Sequence, residues 1–244
     1  MLAIIGGSGL ARLPNLEVSR RVAVRTPYGD PSAQLTSGAI RGVPVIFLAR
    51  HGDGHTIPPH QVNYRANLWA LKEQDAREIV SVATVGGIRR DLGPGALVVP
   101  HQIVDYTWGR ASTFFEGNTP VKHVDFTEPY SASLRARLLA AATRSGEAAG
   151  DGAVYAATQG PRLESAAEID RLERDGADIV GMTGMPEAAL AREIELAYAA
   201  IAVVVNHAAG RGASAHGIQM QQIDDVLEGA MRRVYKIIEA LVTA

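Results

Sequence analysis

The chain has 244 residues and a formal net charge of −2, with 47% hydrophobic positions, 20% charged positions and no cysteine. That length and apolar share suit one compact domain over residues 1–244, and the balanced charge speaks against general affinity for nucleic acid or an acidic membrane. Disulfides, thiolate catalysis and cysteine-ligated zinc are excluded. The amino terminus has no basic region before its short apolar run, and no stretch reaches the roughly 18 apolar residues of a membrane span. The expectation is a soluble, cytoplasmic protein.

In chain order, Leu2–Ile5 reads as a short strand running into the glycine turn Gly6-Gly7-Ser8-Gly9. Val43–Leu48 is a second buried strand, ending at Arg50-His51-Gly52. Gln61–Gln74 carries Val62, Ala66, Trp69 and Ala70 at helical spacing. Ile79–Ala83 is β-branched and leads into Thr84-Val85-Gly86-Gly87, and Leu97–Val99 and Ile103–Val104 are short strands split by Pro100. Ser131–Ser145 is a helix that Gly146 stops. Ala153–Ala157 is a strand entering Gln159-Gly160-Pro161-Arg162, and Glu164–Arg174 and Pro186–Glu195 are helices, the second with proline in its first turn. Tyr198–Val205 is the most apolar strand and ends at Asn206-His207, and Gln222–Val242 is a closing amphipathic helix. The alternation predicts an α/β fold, a central mixed sheet flanked by helices. Ligand groups in such sheets tend to lie just beyond strand carboxyl ends.

Several of those ends suit an anion. Gly6-Gly7-Ser8-Gly9 leaves backbone N–H groups open to approach, although it is neither GxGxxG nor a P-loop and also suits a plain tight turn. Arg50-His51 places two cationic-capable groups after a buried strand, where arginine can grip phosphate in a bidentate manner or pair with a nearby carboxylate. Thr84-Val85-Gly86-Gly87 adds a hydroxyl and backbone donors. Together these donors would suit one phosphate.

Taken together, the segments IIGGSGL (4–10), TPYG (26–29), LARH (48–51), VNYRANLWAL (62–71), QGPRL (159–163) and GMTGMPEAALA (181–191) resemble the purine nucleoside phosphorylase and methylthioadenosine phosphorylase family. With Asn206 they span residues 4 to 206, and the likeness is strongest to the methylthio branch, in particular to bacterial S-methyl-5'-thioinosine phosphorylases. The resemblance implies phosphorolysis of a purine nucleoside, with inorganic phosphate as co-substrate and neither cofactor nor metal. By the same resemblance Ser8, Arg50, His51, Thr84, the Val85 backbone and Thr183 would hold phosphate, and Met182 would face the ribose. Gly86, Leu163, Glu164 and Asn206 would surround the purine, with Glu164, Asn206 and His51 the catalytic candidates. The family forms homotrimers, and His123 would reach a neighbour's site.

The base-reading pair can also be argued from chemistry. Adenine offers a donor at its amine and an acceptor at N1, and hypoxanthine reverses both. Family members that cleave methylthioadenosine carry aspartates where this chain has Asn206 and Ala208. An asparagine amide donates to O6 and N7 and a glutamate accepts from N1–H, so Glu164 and Asn206 fit a 6-oxopurine. Mispaired polar groups in such a site discriminate by about 10⁴. Alone, Asn206 would equally suit a strand end and Glu164 a helix first turn. For the sugar, Met220, Ile223 and Leu227 suit a thioether wall or ordinary core packing, whereas His207 or His216 would serve a 5'-hydroxyl. Inosine, guanosine or methylthioadenosine phosphorolysis are the alternatives. A metalloenzyme built on His51, His55 and His60, a nucleosidase using water, and a non-catalytic nucleoside-binding protein are rival classes.

Overall fold

The computed structural model describes residues 1–244. Its strands are β1 (Leu2–Gly6), β2 (Glu17–Val22), β3 (Leu35–Ile40), β4 (Val43–Ala49), β5 (Glu78–Gly87), β6 (Leu97–Val99), β7 (Gln102–Asp105), β8 (Gly150–Asp151), β9 (Val154–Ala157), β10 (Ile179–Gly181) and β11 (Ala197–His207). The helices are α1 (Tyr64–Glu73), α2 (Ala132–Arg144), α3 (Ala166–Arg174), α4 (Gly184–Glu193) and α5 (Met220–Val242). All strands join one mixed sheet with the path β2-β3-β4-β1-β5-β10-β9-β7, from which β11, β6 and β8 branch at β5.

β5 is the spine of this sheet. Its side chains alternate between the two faces, as an extended chain requires. Ile79 packs with Leu68 and Leu71 of α1 and Ala188 and Leu190 of α4. Val80 and Val82 pack on the other face with Leu134 and Leu138 of α2 and Ile237 and Ile238 of α5. No helix is long and apolar enough to cross a membrane.

Four strands went unread in the sequence, for two reasons. β2 is almost wholly exposed and β3 buries only Leu35 and Ile40 at its ends, so neither shows an apolar alternation. β10 and β8 are too short to show a period. Elsewhere the boundaries move in a way that matters. Thr84-Val85-Gly86-Gly87 is strand, not turn, because β11 pairs with β5 from Glu78 to Gly87 and keeps it extended. Asn206 and His207 lie inside β11, where a register shift between Val204 and Asn206 leaves Val205 unpaired. Such a bulge re-aims the side chains beside it.

α3 begins later than the sequence pattern predicts. Ser165 is its N-cap and forms a reciprocal box with Glu168, which leaves Glu164 on the preceding loop. Because the box fixes where that loop ends, Ser165→Ala should lower stability by about 1 kcal/mol. Urea unfolding should show a lower midpoint with an unchanged slope; an unchanged midpoint would mean the cap does not anchor this helix.

Candidate functional site

The sheet forks along β5. On the edge away from β11, β5 pairs with β1 over Glu78–Ser81 and with β10 over Gly86–Gly87, and residues 82–85 have no strand partner there. A cleft of about 720 Å³ opens at this fork. Ser8 enters it from the turn after β1, Arg50 and His51 from the end of β4, and Thr84, Val85 and Gly86 from β5. The loop before α3 contributes Leu163 and Glu164, the β10–α4 junction Met182 and Thr183, and the β11 bulge Asn206. Met220, Ile223 and Leu227 of α5 close the side.

The residues nominated from the sequence for phosphate, ribose and purine thus border one space. His123 does not: it is exposed on the segment between β7 and α2. His207 lies against Gly93 and Gly212, and neither it nor His216 lines the cleft. His60 also lies outside it.

Arg50 is the most constrained of these side chains, fully buried at 0% exposure. Its Nε donates to Glu187 Oε2 at 2.8 Å, and its Nη2 donates to Glu187 Oε1 at 3.0 Å and to Ser81 Oγ at 2.6 Å. Its Nη1 donates to Val82 O at 3.1 Å, which satisfies a carbonyl that the fork leaves without a strand partner. A guanidinium carries five N–H donors, and these bonds leave a single Nη1 proton for a ligand. Burial opposes the guanidinium charge, but Glu187 outweighs it and holds the pKa above its ordinary value. The carboxylate partner that the sequence allowed for is therefore present, fully buried and outside the cleft lining. Gly7 makes room for it, since a Cβ there would lie 2.9 Å from Nη1 and 2.6 Å from Val82 O.

His51 is held differently. Its Nδ1 lies 2.8 Å from Ile57 O and donates to it, so in the neutral ring Nε2 carries the lone pair. Burial, then Arg50 beside it and His55, push its pKa down to about 4, against the pull of the Ile57 carbonyl. Thr183 precedes α4 and makes no side-chain cap bond, so its hydroxyl borders the cleft, while its N–H donates to Tyr155 Oη at 3.3 Å. Met185, in the first turn, is extended (φ −120°, ψ 140°), so regular helix begins at Pro186.

At the opposite end, Glu164 Oε1 accepts from Thr158 Oγ1 at 2.6 Å, and Asn206 Nδ2 donates to His207 O at 2.6 Å, which leaves a second Nδ2 proton free. Other residues at or behind the cleft lie outside the nominated phosphate and purine sets. His55 lies 3.4 Å from Ser8 Oγ through its Nε2. Asp224 borders the cleft beside Ile223. Glu187, which also accepts from Tyr198 Oη at 2.8 Å, had one visible signal, a carboxylate within the apolar run MPEAALA.

The profile of the Phosphorylase superfamily matches residues 1–243. A probable S-methyl-5'-thioinosine phosphorylase of Pseudomonas syringae pv. tomato is 53% identical over 99% of this chain and 98% of its own length. A 6-oxopurine nucleoside phosphorylase of Pyrococcus furiosus is 41% identical over 99% of this chain and 91% of its own. Among solved structures, methylthioadenosine phosphorylase from Schistosoma mansoni in complex with adenine superposes with a TM-score of 0.94 at 32% identity, covering 99% of this chain and 90% of that one.

Two outcomes follow from the geometry. Removing one partner of a buried ion pair leaves an uncompensated charge, so Glu187→Ala should lose about 3–5 kcal/mol of stability. Denaturant unfolding measures it, and a loss under about 1 kcal/mol would contradict a dry pair. His51 titrates lower in the folded chain than in the unfolded chain, so its contribution is complete above the unfolded value of 6.5 and fades as pH falls toward 4. Thermal midpoints of His51→Gln should therefore fall less than those of the parent between pH 6.5 and 4; parallel curves would show that His51 is not buried neutral.

Proposed function

Because the chain belongs to the Phosphorylase superfamily, we propose that it cleaves 6-oxopurine nucleosides with inorganic phosphate. The preferred substrate is S-methyl-5'-thioinosine, giving hypoxanthine and 5-methylthioribose 1-phosphate. One observation carries the base preference: a carboxylate, Glu164, and a carboxamide, Asn206, border the same cleft. They are complementary to N1–H and to O6 and N7 of a 6-oxopurine. Apolar Ile223 and Leu227 on the cleft wall support the thioether. The names of the bacterial and archaeal relatives support the same base class.

In this reading phosphate sits among Ser8 Oγ, the free Nη1 proton of Arg50, His51 Nε2, Thr84, the Val85 N–H and Thr183. His51, neutral, accepts through Nε2 a hydrogen bond donated by a phosphate O–H instead of offering charge. The donors turn a bimolecular encounter into an oriented attack. A phosphate oxygen forms a bond to the anomeric carbon as the bond to purine N9 breaks through an oxocarbenium-like transition state, and the bonding pair leaves with the purine. The ribose lies against Met182. Gly86 and Leu163 flank the base, Glu164 accepts from N1–H, and Asn206 donates as negative charge builds on N7 and O6. The reaction balances without a cofactor.

The same reading makes the protein a homotrimer in which His123 completes a neighbour's site. Trp108 and Val121, 72% and 75% exposed on the same segment, support a contact there. One observation favours a second reading, an inosine or guanosine phosphorylase: Asp224 beside Ile223 would suit a 5'-hydroxyl.

Purine release from methylthioinosine, methylthioadenosine, inosine and adenosine, each with and without phosphate, separates these readings. Phosphate-dependent cleavage of methylthioinosine well above the others is expected. Preference for inosine would move the assignment to the hydroxyl substrate, and turnover without phosphate would make the protein a hydrolase. Asn206→Asp should lower kcat/KM for 6-oxopurine nucleosides by about 10²-fold; unchanged cleavage would sink the proposed leaving-group stabilisation.

A further inference from the structure

We propose that Thr158 is a positioning residue that sets base specificity by fixing which hydrogen-bonding face Glu164 presents. The inference rests on the reading of Glu164 as the residue that meets purine N1.

Thr158 directly follows β9, and its backbone is held from two sides. Its N–H donates to Gly181 O at 2.8 Å, and its carbonyl accepts from Arg110 Nη2 at 3.3 Å. The same guanidinium donates to Gln159 O at 2.9 Å, Met182 O at 2.8 Å and Met185 O at 2.6 Å, so it ties the end of β9 to the β10–α4 junction. The Thr158 hydroxyl is thus aimed from a fixed backbone.

That hydroxyl has one proton and two acceptors within reach, Glu164 Oε1 at 2.6 Å and Gly181 O at 3.3 Å. Gly181 O already receives the Thr158 N–H. The proton therefore follows the shorter path to the carboxylate, where a charge-assisted bond is about twice as strong as a neutral one. Oε1 is then committed as an acceptor, and Oε2 has no hydrogen-bond partner in the protein.

An ionised carboxyl held in this way has only lone pairs to offer. It suits the N1–H of a 6-oxopurine and opposes the N1 lone pair of a 6-aminopurine. Meeting the N1 lone pair of a 6-aminopurine would require a donor at this position, and the carboxylate offers only acceptors. The hydroxyl thereby discriminates between bases without touching either.

The test compares Thr158→Val, which keeps the shape and removes the donor, with Thr158→Ser, which keeps the donor. The intact protein is assayed with methylthioinosine and methylthioadenosine at saturating phosphate. Thr158→Val should lose about 10-fold or more in kcat/KM for methylthioinosine, narrow the ratio between the two substrates by a similar factor, and leave the KM for phosphate unchanged. Thr158→Ser should restore the ratio, and Thr158→Ala replaces the valine variant if that one does not fold. A general packing defect would lower both substrates together and leave their ratio intact, which overturns the proposal. Glu164→Gln separates the two levels. A ratio that collapses in Glu164→Gln but holds in Thr158→Val overturns the role of Thr158 alone. A ratio that holds in both overturns the reading of Glu164 and this inference with it.

Discussion

Between its pairing with β1 and its pairing with β10, β5 runs through residues 82–85 with one edge unpaired, and the guanidinium of Arg50 fills that gap. Unpaired backbone groups inside a protein are costly, so a sheet can fork in its interior only if something satisfies the edge. Arg50 gives Val82 O its donor, and Glu187 from α4 neutralises the charge that this requires. Tyr198 and Ser81 complete the polar cluster from β11 and β5. The ion pair ties α4 to the end of β4 beside the cleft.

The arrangement has an electrostatic consequence. Arg50 faces the cleft with its charge largely balanced by Glu187, and His51 is held neutral by burial and by Arg50 itself. An anion bound here would meet directional donors more than net positive charge: hydroxyls of Ser8 and Thr183, backbone N–H groups and one guanidinium proton. Preorganised dipoles of this kind cost no reorganisation during reaction, and they release an anionic product more readily than a full unpaired charge would. At the other end of the cleft, Thr158 bonds the Glu164 carboxylate and the β11 bulge carries the Asn206 carboxamide.

Much of this was legible in the sequence because apolar strands ending in glycine or polar residues leave a local signature. Leu2–Ile5, Val43–Leu48, Ile79–Ala83 and Tyr198–Val205 are all strands, and the residues nominated after them border one cleft. What escaped was what depends on distant partners. β2 has no buried face to reveal it. The extended state of Thr84–Gly87 is imposed by β11, some 120 residues later in the chain. Glu187 could not be joined to Arg50, nor Thr158 to Glu164, without the fold that brings them together. His207 illustrates the converse, since a polar residue beside the site turns out to pack against Gly212 outside it.

The most direct test of the account is a crystal structure of the protein with phosphate and hypoxanthine bound together. Phosphate oxygens are expected within hydrogen-bond distance of His51 Nε2 and Arg50 Nη1, with the Arg50–Glu187 pair intact. Purine N1 is expected on Glu164 Oε2 and O6 or N7 on Asn206 Nδ2. Phosphate bound away from the fork, or a purine whose N1 faces neither Glu164 oxygen, would contradict this arrangement.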